Sequence, residues 1–251
     1  MKHVRIRAQA VSHDALMRLF IDNAKAIRSA EGLRMPDVIR TFITGAAARL
    51  RCAMFEMIGD HETAKSESET VERALKPIRE PQSRKLLVSM SEILAEALEA
   101  DPVDFIGPVF MELLAHEGMG QFFTPREVSR LIAELTLPPS PEEAPLERGF
   151  ISIQEPTCGV GGMVLAANEV LRDRGFDPTT QTRWLMIELD RVAVDAAWLQ
   201  VALTKVPATV QWGNTLSLEM SASWPTPQLL RLKAEEHSPR KREPRRIGSG
   251  R

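Results

Sequence analysis

Apolar residues in the first half of the chain recur at helical spacing. Leu16, Leu19, Phe20 and Ile27 share one helical face, and Ser12 or Asp14 can cap the start of that segment. Met35-Pro36-Asp37 predicts a second helix with proline in its first turn, and Val38, Phe42, Leu50 and Met54 keep to one side of it. Residues 59–85 are polar and charged without a strong period, which leaves a mobile connection and a solvated helix as alternatives. Helical patterning returns in LLVSMSEILAEALEA, which stops before Asp101-Pro102. It continues in DFIGPVFMELLAHEG, where Gly107-Pro108 predicts an interruption and Gly118 an end.

From residue 120 the period changes. Thr124-Pro125-Arg126-Glu127 reads as a capping box opening a helix that runs to about Thr136. A proline-rich loop leads to strand-like FISIQE (150–155), a glycine-rich turn and a helix from Met163 to Arg174. Strand-like RWLMIE (183–188), a helix from Asp190 to Thr204 and strand-like ATVQW (208–212) follow. This β-α-β-α-β alternation predicts an α/β fold, a parallel sheet with helices laid on it. After Leu218 the pattern falls away, and the basic tail containing PRKREPRRIGSGR predicts disorder. The expected organisation is a helical region at 1–118, an α/β region at 119–220 and a tail at 221–251.

A net charge of −2 gives the whole molecule no attraction for nucleic acid, so DNA affinity would come from a local basic patch or a partner. Cys52 and Cys158 lie in unrelated contexts and the histidines lack ligand spacing, so neither a disulfide nor a metal site is expected. No run is long and apolar enough to span a bilayer, and the N-terminus has no signal-peptide core; a cytoplasmic protein without membrane contact is expected.

The chemistry centres on EPTCGVGGM, residues 155–163, between a buried strand and a helix. Gly159, Gly161 and Gly162 let the backbone turn tightly and approach a ligand, and the helix start offers free N–H groups. A purely structural turn is the competing reading, and two features weigh against it. Glu188 closes the second strand, where nucleotide-binding sheets place a carboxylate for ribose hydroxyls. Asn214, in Gly213-Asn214-Thr215-Leu216, ends the third strand at the same edge. Asp190 reads equally well as a helix cap, and Cys158 as a small packing residue rather than a nucleophile.

Gly120-Gln121-Phe122-Phe123-Thr124-Pro125, then EPTCGVGGM, IELD and GNTL, resemble the gamma-class adenine-N6 DNA methyltransferases, most of all the modification subunits of type I restriction-modification systems. The likeness spans residues 36–218. It implies a Rossmann-like S-adenosylmethionine (SAM) domain behind a helical region, with SAM as cofactor and DNA as substrate. By this resemblance Phe122, Phe123 and Thr124 would line the methionine end of SAM. Glu155, Thr157 and the backbone from Cys158 through Gly159 to Gly161 would pass under the amino acid and ribose. Glu188 would hold the ribose hydroxyls and Asn214 the adenine edge. Glu155 and Asn214 each stand where the family more often has aspartate.

The family's catalytic Asn-Pro-Pro-aromatic motif is absent, and the chain has no tyrosine. Ser223-Trp224-Pro225-Thr226-Pro227 is the nearby candidate, without an Asn or Asp before the prolines; no catalytic residue is assigned. The readable strands make up part of a methyltransferase sheet. FISIQE would form its open edge, to be covered by a second copy or a partner subunit. Three readings follow: a SAM-binding protein inactive alone, an active methyltransferase with a divergent catalytic loop or a partner-supplied half, and a non-enzymatic protein acting on restriction-modification machinery.

Overall fold

The structure, a computed structural model, describes residues 12–114, 124–144 and 149–237. Helix α1 (His13–Glu31) starts at Ser12, whose hydroxyl accepts the Ala15 N–H, and ends at Gly32 in the left-handed conformation. Helix α2 (Met35–Met57) carries Pro36 in its first turn, as its sequence predicts. Helix α3 (His61–Leu75) occupies much of the segment left open at 59–85. It lacks a strong apolar stripe because it buries only the small Ala64 and the charged Glu67 as it packs along α2. Helix α4 (Pro81–Ala100) packs on α1.

Two expectations are corrected at the next helices. Helix α5 (Ile106–Leu114) runs through Gly107-Pro108, which lie in its first turn, where backbone N–H groups have no helical partner for proline to remove. Helix α6 (Arg126–Thr136) has Pro125 at its N-cap position and no side-chain cap, so the capping box at Thr124 does not form. The helix begins one residue later than that box requires.

The α/β part comprises β1 (Ile151–Glu155), α7 (Gly162–Asp173), α8 (Pro178–Gln181), β2 (Thr182–Glu188), α9 (Arg191–Leu203), β3 (Ala208–Asn214), β4 (Glu219–Pro225) and α10 (Pro227–Glu236). The four strands lie in the order β1-β2-β3-β4; the first three are parallel and β4 is antiparallel to β3. The expected fold class therefore holds: a helical region followed by a partial, mostly parallel sheet. The fourth strand and α10 lie inside the stretch expected to be a disordered tail. Among the residues of β4 only Trp224 is buried, so the strand left no apolar pattern to read. Thr226 caps α10, and Leu229 and Leu232 seat it. The remainder of that tail, 238–251, lies outside the described residues, as does the expected 118/119 boundary.

A continuous apolar core joins the helical region to the sheet, running from Leu16 and Phe42 through Leu94 to Val164, Trp198 and Val210. Within it sits a charge. The Arg51 side chain is 0% exposed and lies between Glu67 at 3.0 Å and Asp195 at 2.8 Å. Its guanidinium faces the rings of Trp198 and Trp224, at 5.3 and 4.7 Å from their centroids. The Trp224 indole N–H donates to Glu67 at 2.7 Å, and Arg191 approaches Asp195 at 3.3 Å from the other side. These contacts tie α2 and α3 to α9 and β4.

The opposite side of the sheet is open. Among the described residues β1 has β2 as its single neighbour. Helix α6 packs on α7 with Ser129 and Ala133 buried, Arg126 paired with Glu169, and Arg130 with Glu169 and Asp173. Its apolar residues Val128, Leu131, Ile132 and Leu135 are exposed instead. At 100° per residue they form a stripe centred about 130° around the helix from Ser129 and Ala133. Among the described residues no helix is long and apolar enough to cross a membrane.

Candidate functional site

The carboxyl ends of β1, β2 and β3 bring Glu155, Glu188 and Asn214 to one edge of the sheet. The turn after β1 is tied down at its start, where Cys158 N–H donates to the Ile187 carbonyl at 2.9 Å. It closes where Gly161 N–H reaches the Cys158 carbonyl at 2.8 Å. Gly159 and Gly161 adopt φ of 53° and 96°, which favour glycine. A Cβ at Gly161 would sit 3.4 Å from the Ala197 Cα and 3.6 Å from the Met186 Cε, so the turn lies close on α9 and β2. Gly161 caps α7 without a side-chain hydrogen bond.

Glu188 organises this turn. One carboxylate oxygen accepts Gly159 N–H at 3.0 Å, and the other accepts Leu189 and Asp190 N–H at 2.7 and 2.8 Å. A carboxylate has about four acceptor positions, so one remains on the oxygen facing the glycine turn. Glu155 accepts Thr157 N–H at 3.2 Å. The Asn214 carbonyl oxygen already accepts Leu216 and Ser217 N–H, at 2.9 and 3.4 Å. Its amide N–H groups, rather than the oxygen, are therefore what it has to offer a ligand. Thr215 Oγ1 donates to the Pro156 carbonyl at 2.5 Å and joins the third strand end to the loop after the first.

The remaining expected residues sort as follows. Asp190 accepts Ala193 N–H at 2.8 Å and is the cap of α9. Burial, reinforced by the nearby Glu188 and Glu155, pushes the Cys158 thiol far above its ordinary value; it packs as a neutral thiol. Thr124 is exposed before α6, and Phe122 and Phe123 lie outside the described residues. Trp224 is buried at 6% exposure against Arg51 and pairs with Val210 near the amino end of β3. Ser223-Trp224-Pro225 is therefore remote from the carboxyl edge and cannot present a ring to a base there.

Sequence reading missed Asp104 and Gln200. Gln200 is 0% exposed and accepts Phe105 and Ile106 N–H at 2.9 and 3.1 Å. Its amide donates to Asp104 Oδ1 at 2.8 Å and to the Val160 carbonyl at 2.9 Å. The readable signal was a glutamine in the apolar run DAAWLQVAL. Asp104 Oδ1 also accepts Gly107 N–H at 2.8 Å. Burial pushes the Asp104 carboxyl above the ordinary range, against the opposing pull of the Gly107 and Gln200 hydrogen bonds.

The stability consequence has a definite sign. The folded chain binds the Asp104 proton more tightly than the unfolded one, so stability falls as pH rises from the unfolded to the raised folded value. Asp104→Asn removes that penalty. It should melt above the wild type at pH 7. The gap should narrow towards pH 4. Melting curves across this range check it, and a gap independent of pH would contradict it.

Residues 109–226 match the model of the N-6 DNA methylase family. Among solved structures the chain is similar to a protein from Listeria monocytogenes described as a class I SAM-dependent methyltransferase. The identity is 13% and the TM-score 0.45, over 81% of this chain and 54% of that one. It is also similar to the methyltransferase subunit of a type I restriction-modification system from Streptococcus thermophilus. Here the identity is 14% and the TM-score 0.43, over 78% of this chain and 57% of that one. The chain thus spans little more than half the length of either. No curated protein matches the sequence.

Proposed function

We propose that this chain binds SAM as part of an adenine-N6 DNA methylation system and does not transfer methyl groups alone. The observation that carries the reading is Glu188 held beneath the Gly159 amide, with an acceptor position left at the strand end for a ribose hydroxyl. The donor set fits the cofactor: two carboxylates suit a ligand bearing sulfonium and ammonium charges, and the glycine turn admits close backbone approach. When bound, SAM would supply the electrophilic methyl group. Glu188 would orient the ribose, Asn214 the adenine through its amide hydrogens, and Glu155 with the turn from Thr157 to Gly161 the amino acid end. Thr124, with Phe122 and Phe123, would cover the methionine.

Inactivity alone is supported by the missing Asn-Pro-Pro motif and by the burial of Trp224, the nearby aromatic candidate, which keeps its ring from a target base. A separate subunit would supply the group that holds the target amine and most DNA contacts. The edge of β1, unpaired among the described residues, and the exposed apolar stripe of α6 favour such a partner, because a strand laid beside β1 would satisfy its open backbone and an apolar surface would cover the stripe.

Isothermal titration of SAM into the chain tests the reading. Saturable binding is expected, weakened about tenfold or more in Glu188→Ala, the loss of a charged hydrogen-bond acceptor. Incubation with methyl-labelled SAM and DNA should leave the DNA unlabelled until a partner is added. Absence of saturable binding by the intact chain would overturn the reading, and labelling of DNA by the chain alone would overturn its inactivity. The interaction-protein reading would gain from a complex with a modification subunit that forms without SAM.

A further inference from the structure

The glycine-rich turn is built from residues that hold their own conformation poorly. Gly159 and Gly161 flank Val160, both at positive φ, and no side chain caps the helix that follows. Such a segment needs an external brace to keep one geometry. Gln200 supplies one. Its carbonyl oxygen takes two backbone N–H groups, from Phe105 and Ile106, and its amide gives one hydrogen bond to Asp104 and one to the Val160 carbonyl. All four hydrogen-bonding positions of the side chain are thereby used, which fixes its rotamer. Asp104 adds a second contact from the same segment: a Cβ at Gly162 would lie 2.6 Å from its Oδ2.

We infer that Gln200 is a positioning residue for the glycine-rich turn, holding the Val160 carbonyl in place by bracing it against the Val103–Ile106 segment of the helical region. The ligand this serves rests on the SAM reading above; the bracing itself does not. Other side chains do not substitute. Asparagine is one methylene too short to span both segments. Glutamate keeps the acceptors for Phe105 and Ile106 but sets an oxygen against those of Asp104 and Val160, where a donor is required. The helical region thus reaches the turn through one glutamine and one aspartate, and loosening either segment loosens the other.

The test uses Gln200→Glu in the full chain, at a temperature where melting curves show it folded. Asp60→Ala serves as a control; it loses the cap of α3, away from the turn, and lowers stability without touching Gln200. Amide hydrogen exchange without SAM should rise about tenfold or more in the peptide covering 156–165 of Gln200→Glu, while peptides from α4 and β3 exchange as in the wild type. Calorimetry should show SAM affinity reduced about tenfold. The control should change neither. Wild-type exchange in the turn, or a uniform rise along the chain, would overturn the inference. If the turn loosens selectively but the wild type itself does not bind SAM, the bracing stands and the cofactor reading fails. If SAM binds the variant as tightly as the wild type, the turn's placement does not govern affinity and the positioning role is overturned.

Discussion

Arg51→Ala is expected to destabilise the protein by about 3–5 kcal/mol, a large share of the about 5–15 kcal/mol that holds a typical domain folded. The reason is the charge left behind. Glu67 and Asp195 lie at 3.0 and 2.8 Å from Arg51, with side chains 6% and 0% exposed. Without the guanidinium, among the described residues Glu67 has no other cation to answer its charge, and Asp195 retains the more exposed Arg191 at 3.3 Å. The stacked faces of Trp198 and Trp224 would lose their filling at the same stroke. Urea unfolding measured at 25 °C decides the matter, and a loss below about 1 kcal/mol would mean that water enters to solvate both carboxylates. A companion variant separates charge from shape. Arg51→Met with Glu67→Gln and Asp195→Asn removes all three charges at nearly constant volume and should recover most of the loss, because a neutral cluster has no ion to desolvate. Should the triple variant be as unstable as Arg51→Ala, the energy lies in the packing of the tryptophans.

Gly161→Val should be the most damaging single change to ligand binding. At φ 96° a β-branched residue pays about 1–3 kcal/mol in backbone strain. Its Cβ would already be in contact with the Ala197 Cα at 3.4 Å, so the two methyls beyond it are crowded against α9. The turn would move off α9 and carry the Gly159 amide away from Glu188. SAM affinity is expected to fall more than about thirtyfold, consistent with losing about 2 kcal/mol or more at the site. Gly175→Ala provides the comparison. It bears the same kind of strain, at φ 85°, but a Cβ there meets nothing within 4 Å and the residue is remote from the turn. It should lower the melting temperature and leave SAM affinity unchanged. Equal effects of the two variants on affinity would show that general destabilisation, not turn geometry, governs binding.

Much of the α/β part was legible because its signals are local. The three parallel strands, the glycine turn and the strand-end residues Glu188 and Asn214 follow from apolar runs punctuated by glycine and polar residues, and the structure sets them at one sheet edge. The chemistry of Asn214 was legible only in part, since its oxygen is used to close its own turn. Helix α3 was left as one of two alternatives, and strand β4 and helix α10 were not read, for one physical reason. Each is stabilised by a few distant contacts rather than by its own pattern: Glu67 by Arg51, Trp224 by Glu67 and Arg51, and α10 by Leu229 and Leu232 against the sheet.

The sequence by itself determined the order of the three parallel strands and of the helices between them, the glycine-rich turn and the lack of an Asn-Pro-Pro run, because each depends on neighbouring residues or on residue identity alone. Only the tertiary structure decided three further points. The Trp224 ring of Ser223-Trp224-Pro225 is buried against Arg51, near the amino end of β3, and is not a catalytic substitute at the carboxyl edge. The apolar stripe of α6 faces away from α7. Gln200 joins the helical region to the glycine turn. All three depend on which surfaces meet across separations of tens to more than a hundred residues, and periodicity within a segment carries no record of them.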